Sequence, residues 1–257
     1  MSVVNSVSIN GLPGTGKTFA TAKIVTELGL NAFVFDFEGM YQFTIDEYFK
    51  DFVGQFEVYN VMKPTETPKT APTLRDGKKV VQADMKLTFK YAPDYAKSCI
   101  DLIEKMNDVL ERKDINVIIM DGATPIIRNQ LGLAYWKQLH PGRISPEPVE
   151  WGAMNDFEQS FIEGGVGWAK ENNGLFIVTG QMKDEYKGDK KVGDVPGISV
   201  KCRHSINVVI ELQKNVYRDH TDYICVVDDS IKGSFMTPIT LEKHVFDVLI
   251  EKGLLSY

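Results

Sequence analysis

Gly11-Leu12-Pro13-Gly14-Thr15-Gly16-Lys17-Thr18 sets glycines five residues apart and follows the second with a lysine and a hydroxyl. That spacing can cradle a chain of phosphates. Glycines at positions 11, 14 and 16 let the backbone curl until successive N–H groups face inward, Thr15 included, with no side chain in the way. Lys17 adds a full positive charge for the outer phosphates, and the Thr18 hydroxyl can ligate Mg²⁺. Three further residues could complete such a site. Asp121 ends the apolar run Ile118-Ile119-Met120 and could hold Mg²⁺ through water. Glu38, two residues after Asp36, could orient or deprotonate an attacking water. Gln181, just past Val178-Thr179-Gly180, could sense the terminal phosphate through its amide. The alternatives for these three are a helix cap, a solvated turn carboxylate and an ordinary surface glutamine.

The elements that must position them alternate between strand and helix. Val3–Ile9 predicts a strand that runs straight into the glycine loop, and a helix follows from about Lys17 to Leu28. Ala32–Asp36 is a short, continuous apolar run of the kind expected for a buried parallel strand. Phe56–Val61 predicts another strand. A helix over Pro93–Arg112 carries Tyr95, Cys99, Leu102, Met106 and Val109 at spacings of three and four. Strands over Ile115–Asp121 and Leu175–Thr179 follow, separated by a helix over Asn155–Lys170 that Gly164-Gly165 weakens. Val208–Leu212 and Tyr223–Val227 read as further strands, and Leu241–Lys252 as a last helix.

The segment 63–90 interrupts this order. It contains Pro64, Pro68, Pro72 and an Asp76-Gly77 turn, which suggests an inserted hairpin arm. Seven basic residues, Lys78 and Lys79 among them, stand there against three acidic ones, in a chain whose formal net charge is −6. That contrast, with Phe89 and Tyr91 available for stacking, makes the arm the better electrostatic candidate for DNA; a basic hairpin without a partner is the alternative. With 257 residues, 43% hydrophobic and 25% charged, the chain suits one globular α/β domain over 1–257. The acidic balance excludes wholesale coating of nucleic acid. Cys99, Cys202 and Cys225 are too few and too scattered for a disulfide framework or zinc site, and read as small buried hydrophobes. The four histidines lack metal-ligand spacing, and the three tryptophans read as core residues. Without a long apolar run or a leader-like start, the expectation is a cytoplasmic protein with no membrane partner.

Taken together, the loop Gly11–Thr18, Phe35-Asp36-Phe37-Glu38-Gly39, Ile118-Ile119-Met120-Asp121, Glu150-Trp151-Gly152 and Val178-Thr179-Gly180-Gln181 resemble the RecA-type P-loop ATPases. The resemblance runs from about residue 5 to 215 and is strongest to the compact versions encoded by phages and other viruses. It implies a mainly parallel RecA-like sheet flanked by helices, with ATP and Mg²⁺ as cofactors. It also implies Glu38 as the catalytic carboxylate, Asp121 as a metal holder, and Gln181 as the link between γ-phosphate and DNA-binding loops. Single-stranded DNA and further copies of the chain, in a ring or filament, would be the partners, with the host cytoplasm the compartment if the chain is viral. Where the family usually has a serine after the metal aspartate, this chain has Gly122, and the 63–90 arm has no counterpart.

The region matching the family's DNA loops, 183–203, reads as a turn-rich mobile loop with six basic and four acidic residues. Lys183, Lys201 or Arg203 could contact DNA or reach a neighbour's γ-phosphate; a solvated loop is the alternative. Three functions follow: a DNA-stimulated ATPase of recombination, repair or replication; a nucleotide-switched scaffold or loader with little turnover; and a small-molecule kinase, disfavoured by the lack of an arginine cluster.

Overall fold

The computed structural model describes residues 4–62, 94–143, 145–187, 190–217, 221–229, 233–239 and 244–254. The expected arm at 63–90, with Lys78 and Lys79, lies outside them. The chain opens with β1 (Ser6–Gly11), α1 (Lys17–Glu27), β2 (Ala32–Asp36) and α2 (Tyr41–Tyr48). A 3₁₀ segment, Lys50–Gln55, leads into β3 (Phe56–Asn60). Then come α3 (Tyr95–Leu110), β4 (Val117–Gly122), the short broken turn α4 (Ala123–Ile126), a π-helical segment Ile127–Gly132, α5 (Leu133–Leu139) and α6 (Pro148–Glu171). The second half holds β5 (Leu175–Gly180), β6 (Met182–Lys187), β7 (Lys190–Pro196), α7 (Val200–Ser205), β8 (Val208–Val216), β9 (Thr221–Asp229), β10 (Gly233–Ile239) and α8 (Val245–Glu251).

The protein is α/β, with a mostly parallel sheet in the order β10-β9-β8-β1-β5-β4-β2-β3. The strands from β8 to β3 are mutually parallel; β9 and β10 extend one side antiparallel. The apolar runs of β2, β4 and β5 suit burial on both faces, and β1 between them and β8 is buried throughout although it carries Ser6, Ser8 and Asn10. Alternate residues then divide between two cores. Val34, Ile119 and Ile177 face the layer of α1, α2 and α8, whereas Phe33, Phe35, Ile118, Met120, Phe176 and Val178 face α3, α6 and the π segment. The three cysteines are buried and unpaired, as their scatter suggests. Trp136 and Trp168 are core residues, but Trp151 is exposed, because it opens α6 on a solvent-facing turn.

Three stretches differ from the sequence expectation. The helix expected over 155–170 begins at Pro148 and passes through Gly164-Gly165 unbroken. A Cβ on Gly165 would collide with the Phe176 ring, so close helix–sheet packing more than offsets the poor helix propensity of glycine. The expected loop at 183–203 is instead the antiparallel hairpin β6–β7, a two-stranded sheet of its own, followed by α7. Its alternating pattern is masked by Gly188 and Gly193. The stretch 123–139 carried no expectation and forms the π segment and α5. No helix among the described residues is long and apolar enough to cross a membrane.

Candidate active site

The site forms at the carboxyl ends of β1, β5, β4 and β2, where an open parallel sheet presents its loops. Register brings the residues together. Asp36 lies level with Asp121 across β2 and β4, and Asn10 level with Gly180 across β1 and β5. Strand β5 therefore stands between the glycine loop and the Asp121 strand, and its end feeds Thr179 and Gln181 into the space between them.

The Gly11–Thr18 loop has the shape its glycines allow. Gly14 and Gly16 sit at φ of +76° and +83°, the left-handed region that other residues adopt at a cost, and a Cβ on either would project into open space. Gly11 is needed for a different reason. A Cβ there would stand 2.6 Å from Thr15 Oγ1 and 2.7 Å from the Leu212 carbonyl of β8. Thr15 pins the turn by donating its hydroxyl to the Leu12 carbonyl at 2.8 Å. Lys17 is buried and donates to the carbonyls of Gly11 (3.0 Å) and Leu12 (3.1 Å), which keeps the ammonium inside the curl of the loop. Burial lowers its pKa, against the opposing pull of Glu38 and Asp121.

Thr18 joins this loop to β4. Its hydroxyl donates to Asp121 Oδ2 at 2.9 Å, while the Thr179 hydroxyl donates to Asp121 Oδ1 at 2.7 Å. Thr179 in turn accepts the Gly122 N–H at 2.7 Å, so β5 fixes the orientation of the β4 carboxylate. Asp121 is 1% exposed. Burial pushes its carboxyl up to about 6, and nearby Asp36 and Glu38 push in the same direction, although both threonine hydroxyls pull it down. A carboxylate crowded by like charge beside a hydroxyl is the oxygen-donor set that a hard divalent cation relieves. Among the described residues there is no cluster of three or more His, Cys, Asp or Glu suited to a metal. Thr18 and Asp121 thus fit Mg²⁺ in the way that leaves most of its ligands to phosphate and water.

Asp36 and Glu38 have different tasks. Asp36 is buried, and its carboxylate accepts the N–H groups of Glu38 (3.1 Å), Gly39 (2.7 Å) and Tyr41 (2.8 Å), which ties the turn after β2 to the start of α2. That leaves Glu38 projecting, exposed, over β4. Gln181 Nε2 donates to Glu38 Oε1 at 3.1 Å. Gly122 explains the missing serine: at φ +76° a Cβ would lie 2.5 Å from Glu38 Cγ, so the glycine makes room for the glutamate stem.

No protein-family model and no curated protein matches the chain.

The loop residues Gly11, Gly14, Thr15, Gly16, Lys17 and Thr18, with Asp121, Glu38 and Gln181, are thus brought into one site. Lys183 is not part of it. It lies on β6, and partial desolvation of its ammonium lowers its pKa, with Arg128 of the π segment and Arg203 of α7 adding to the shift and Glu158 opposing it. Lys201 falls within α7. Glu150, one of the residues carrying the resemblance, is structural: it accepts the Glu147 N–H at 2.7 Å and a two-pronged Arg143 at 2.7 and 2.8 Å at the start of α6. Sequence reasoning named Thr179, Asp36 and Gly122 but gave none of them a role in the site. The available signal for all three was position, since each sits at the end of a buried strand beside a residue already singled out.

Proposed function

We propose that the chain is a Mg²⁺-dependent ATP phosphohydrolase of RecA-like type acting on single-stranded DNA. The observation that carries the hydrolytic part is the Thr18–Asp121 contact at 2.9 Å beneath Glu38, which brings cation-holding oxygens and a candidate base to one end of the glycine loop. The loop N–H groups and the N-terminus of α1 would receive the phosphates. Lys17 would exchange the Gly11 and Leu12 carbonyls for phosphate oxygens. Thr18 and Asp121 would hold Mg²⁺, which when bound neutralises charge on the phosphates. Glu38 would align a water with the γ-phosphorus and take its proton as the new P–O bond forms and the bond to the β-phosphate oxygen breaks, giving ADP and phosphate. Gln181 holds Glu38 through a single hydrogen bond, so its amide is placed to turn from the carboxylate to a γ-phosphate oxygen. The strand order, with β5 between β1 and β4, supports the RecA-like reading. The DNA part is supported by Arg128 of the π segment, Lys183 of β6 and Arg203 of α7, three positive charges that gather against the single carboxylate of Glu158.

The test is Mg²⁺-dependent ATP hydrolysis with and without single-stranded DNA, with Lys17→Ala as the blank. Turnover that needs Lys17 and rises with DNA is the expected result. Turnover indifferent to DNA, combined with ATP-dependent assembly, would replace this reading with a nucleotide-switched scaffold.

A further inference from the structure

Beside Glu38, on the side away from the glycine loop, lies a cavity of about 470 Å³ at the carboxyl ends of β2 and β3. That volume falls within the roughly 300–1,000 Å³ of small-molecule sites. Its lining has a definite chemistry. Three side-chain amides reach it: Asn60 from the end of β3, Gln130 from the π segment and Gln181 from the end of β5. Phe37 forms part of the floor and the half-buried Tyr95 a wall. Among the described lining residues, Glu38 is the one charged side chain.

These groups select a ligand class. An amide carries a donor and an acceptor side by side, which matches the alternating edge of a heterocyclic base; Gln130 offers both, Gln181 its carbonyl oxygen while its NH₂ is on Glu38, and Asn60 its NH₂. The Asn60 carbonyl oxygen accepts the Met62 N–H at 3.0 Å, which leaves its NH₂ as the group on offer. The Gln130 side-chain amide has no hydrogen-bond partner among the described residues, and it sits on a π-helical turn, a distortion that recurs at functional sites. Tyr95 offers a ring for stacking. The one charge among the described lining residues is a carboxylate, which disfavours a phosphate. We propose that this cavity binds a neutral nucleobase, supplied either as a free nucleoside or as an unstacked base of single-stranded nucleic acid, with its phosphates outside.

Gln181 connects the cavity to the site already described. Its backbone is held on both sides, by N–H donation to Thr124 (3.1 Å) and acceptance from Gly197 (2.8 Å), so only the side chain can turn. A base that engages the Gln181 amide takes it from Glu38. This coupling rests on the hydrolase reading; base binding itself does not.

Two probes separate the sources: 2-aminopurine riboside, and an oligo-dT strand with one internal 2-aminopurine, each followed by fluorescence. Saturable binding of the riboside assigns free nucleosides, and binding of the oligomer alone assigns a base within a strand; either upholds the proposal. Gln130→Ala and Tyr95→Ala should each weaken that binding about tenfold or more. Binding of a fluorescent ATP analogue should stay within about twofold of the unsubstituted chain. Gln130→Ala decides the matter if Tyr95→Ala fails to fold, since that side chain is half-buried and makes no hydrogen bond among the described residues. Absence of binding by both probes, or binding that a folded Gln130→Ala leaves unchanged, overturns the proposal. Loss of ATP-analogue binding by the unsubstituted chain overturns the hydrolase reading instead, and leaves the base result standing.

Discussion

Asp121 and Glu158 are both 1% exposed, both carboxylates, and both raised in pKa by burial, yet the fold treats them in opposite ways. Asp121 is held by two threonine hydroxyls, one on each oxygen. Glu158, on α6, has an oxygen with no hydrogen-bond partner among the described residues; Arg128 and Lys183 act on it through charge, and the buried Nε of Arg203 on α7 is likewise without one among them. Hydrogen bonds are directional and fix a carboxylate in place. Charges at a distance lower the cost of burial without choosing a geometry. One carboxylate is thus aimed and the other is only balanced.

If that contrast is right, the largest effects belong to the aimed set. Lys17→Ala should reduce Mg²⁺-dependent ATP hydrolysis at least about a hundredfold, measured as phosphate release under saturating ATP. Glu38→Gln should lose about 10²–10⁴ in turnover while binding a fluorescent ATP analogue normally. Weakened binding in Glu38→Gln would mean the glutamate is part of the cradle.

Gly122→Ser restores the serine of the resembling family and should nonetheless be harmful. Its φ of +76° and the clash with the Glu38 stem predict a loss of about 1–3 kcal/mol in denaturant unfolding, together with reduced turnover. A fully active Gly122→Ser would show that Glu38 is free to move aside.

Asp121→Asn sharpens the comparison through pH. The native carboxyl titrates near 6 and its ordinary value is 3.8, so the folded chain keeps a proton that the unfolded chain has lost. The stability this gives is complete below about pH 3.8 and is drained as pH rises through about 6, by about 3 kcal/mol in all. In metal-free buffer, Asp121→Asn should therefore melt higher than the unsubstituted chain at pH 7 and lose the difference near pH 4. Glu158→Gln should be the mildest change in activity, without effect on turnover in the absence of DNA. A fall in turnover like that of Glu38→Gln would erase the distinction between the two carboxylates.

The aimed region was also the legible one. Gly11–Thr18 has a spacing that lets backbone amides converge, and Asp121 stands at the end of a short, β-branched apolar run of the kind that forms a buried strand. Asp36 and Thr179 were hidden because their partners are N–H groups and hydroxyls brought alongside by strand register, which local sequence does not display. The hairpin β6–β7 and the π segment were hidden for another reason. Their periodicity is weak, and packing against neighbours settles what propensity leaves open.

Strand β1 raises a matter of timing. It is synthesised well before either of its neighbours: Ser6 pairs with Phe176 on one side, and Val7 pairs with Val208, about 200 residues downstream, on the other. Gly11 itself lies against Leu212. At about 5–20 residues per second, the glycine loop waits roughly 10–40 s on the ribosome before both walls of its cradle exist. A nascent chain stalled before residue 208 should have the whole glycine motif and still fail to retain a nucleotide.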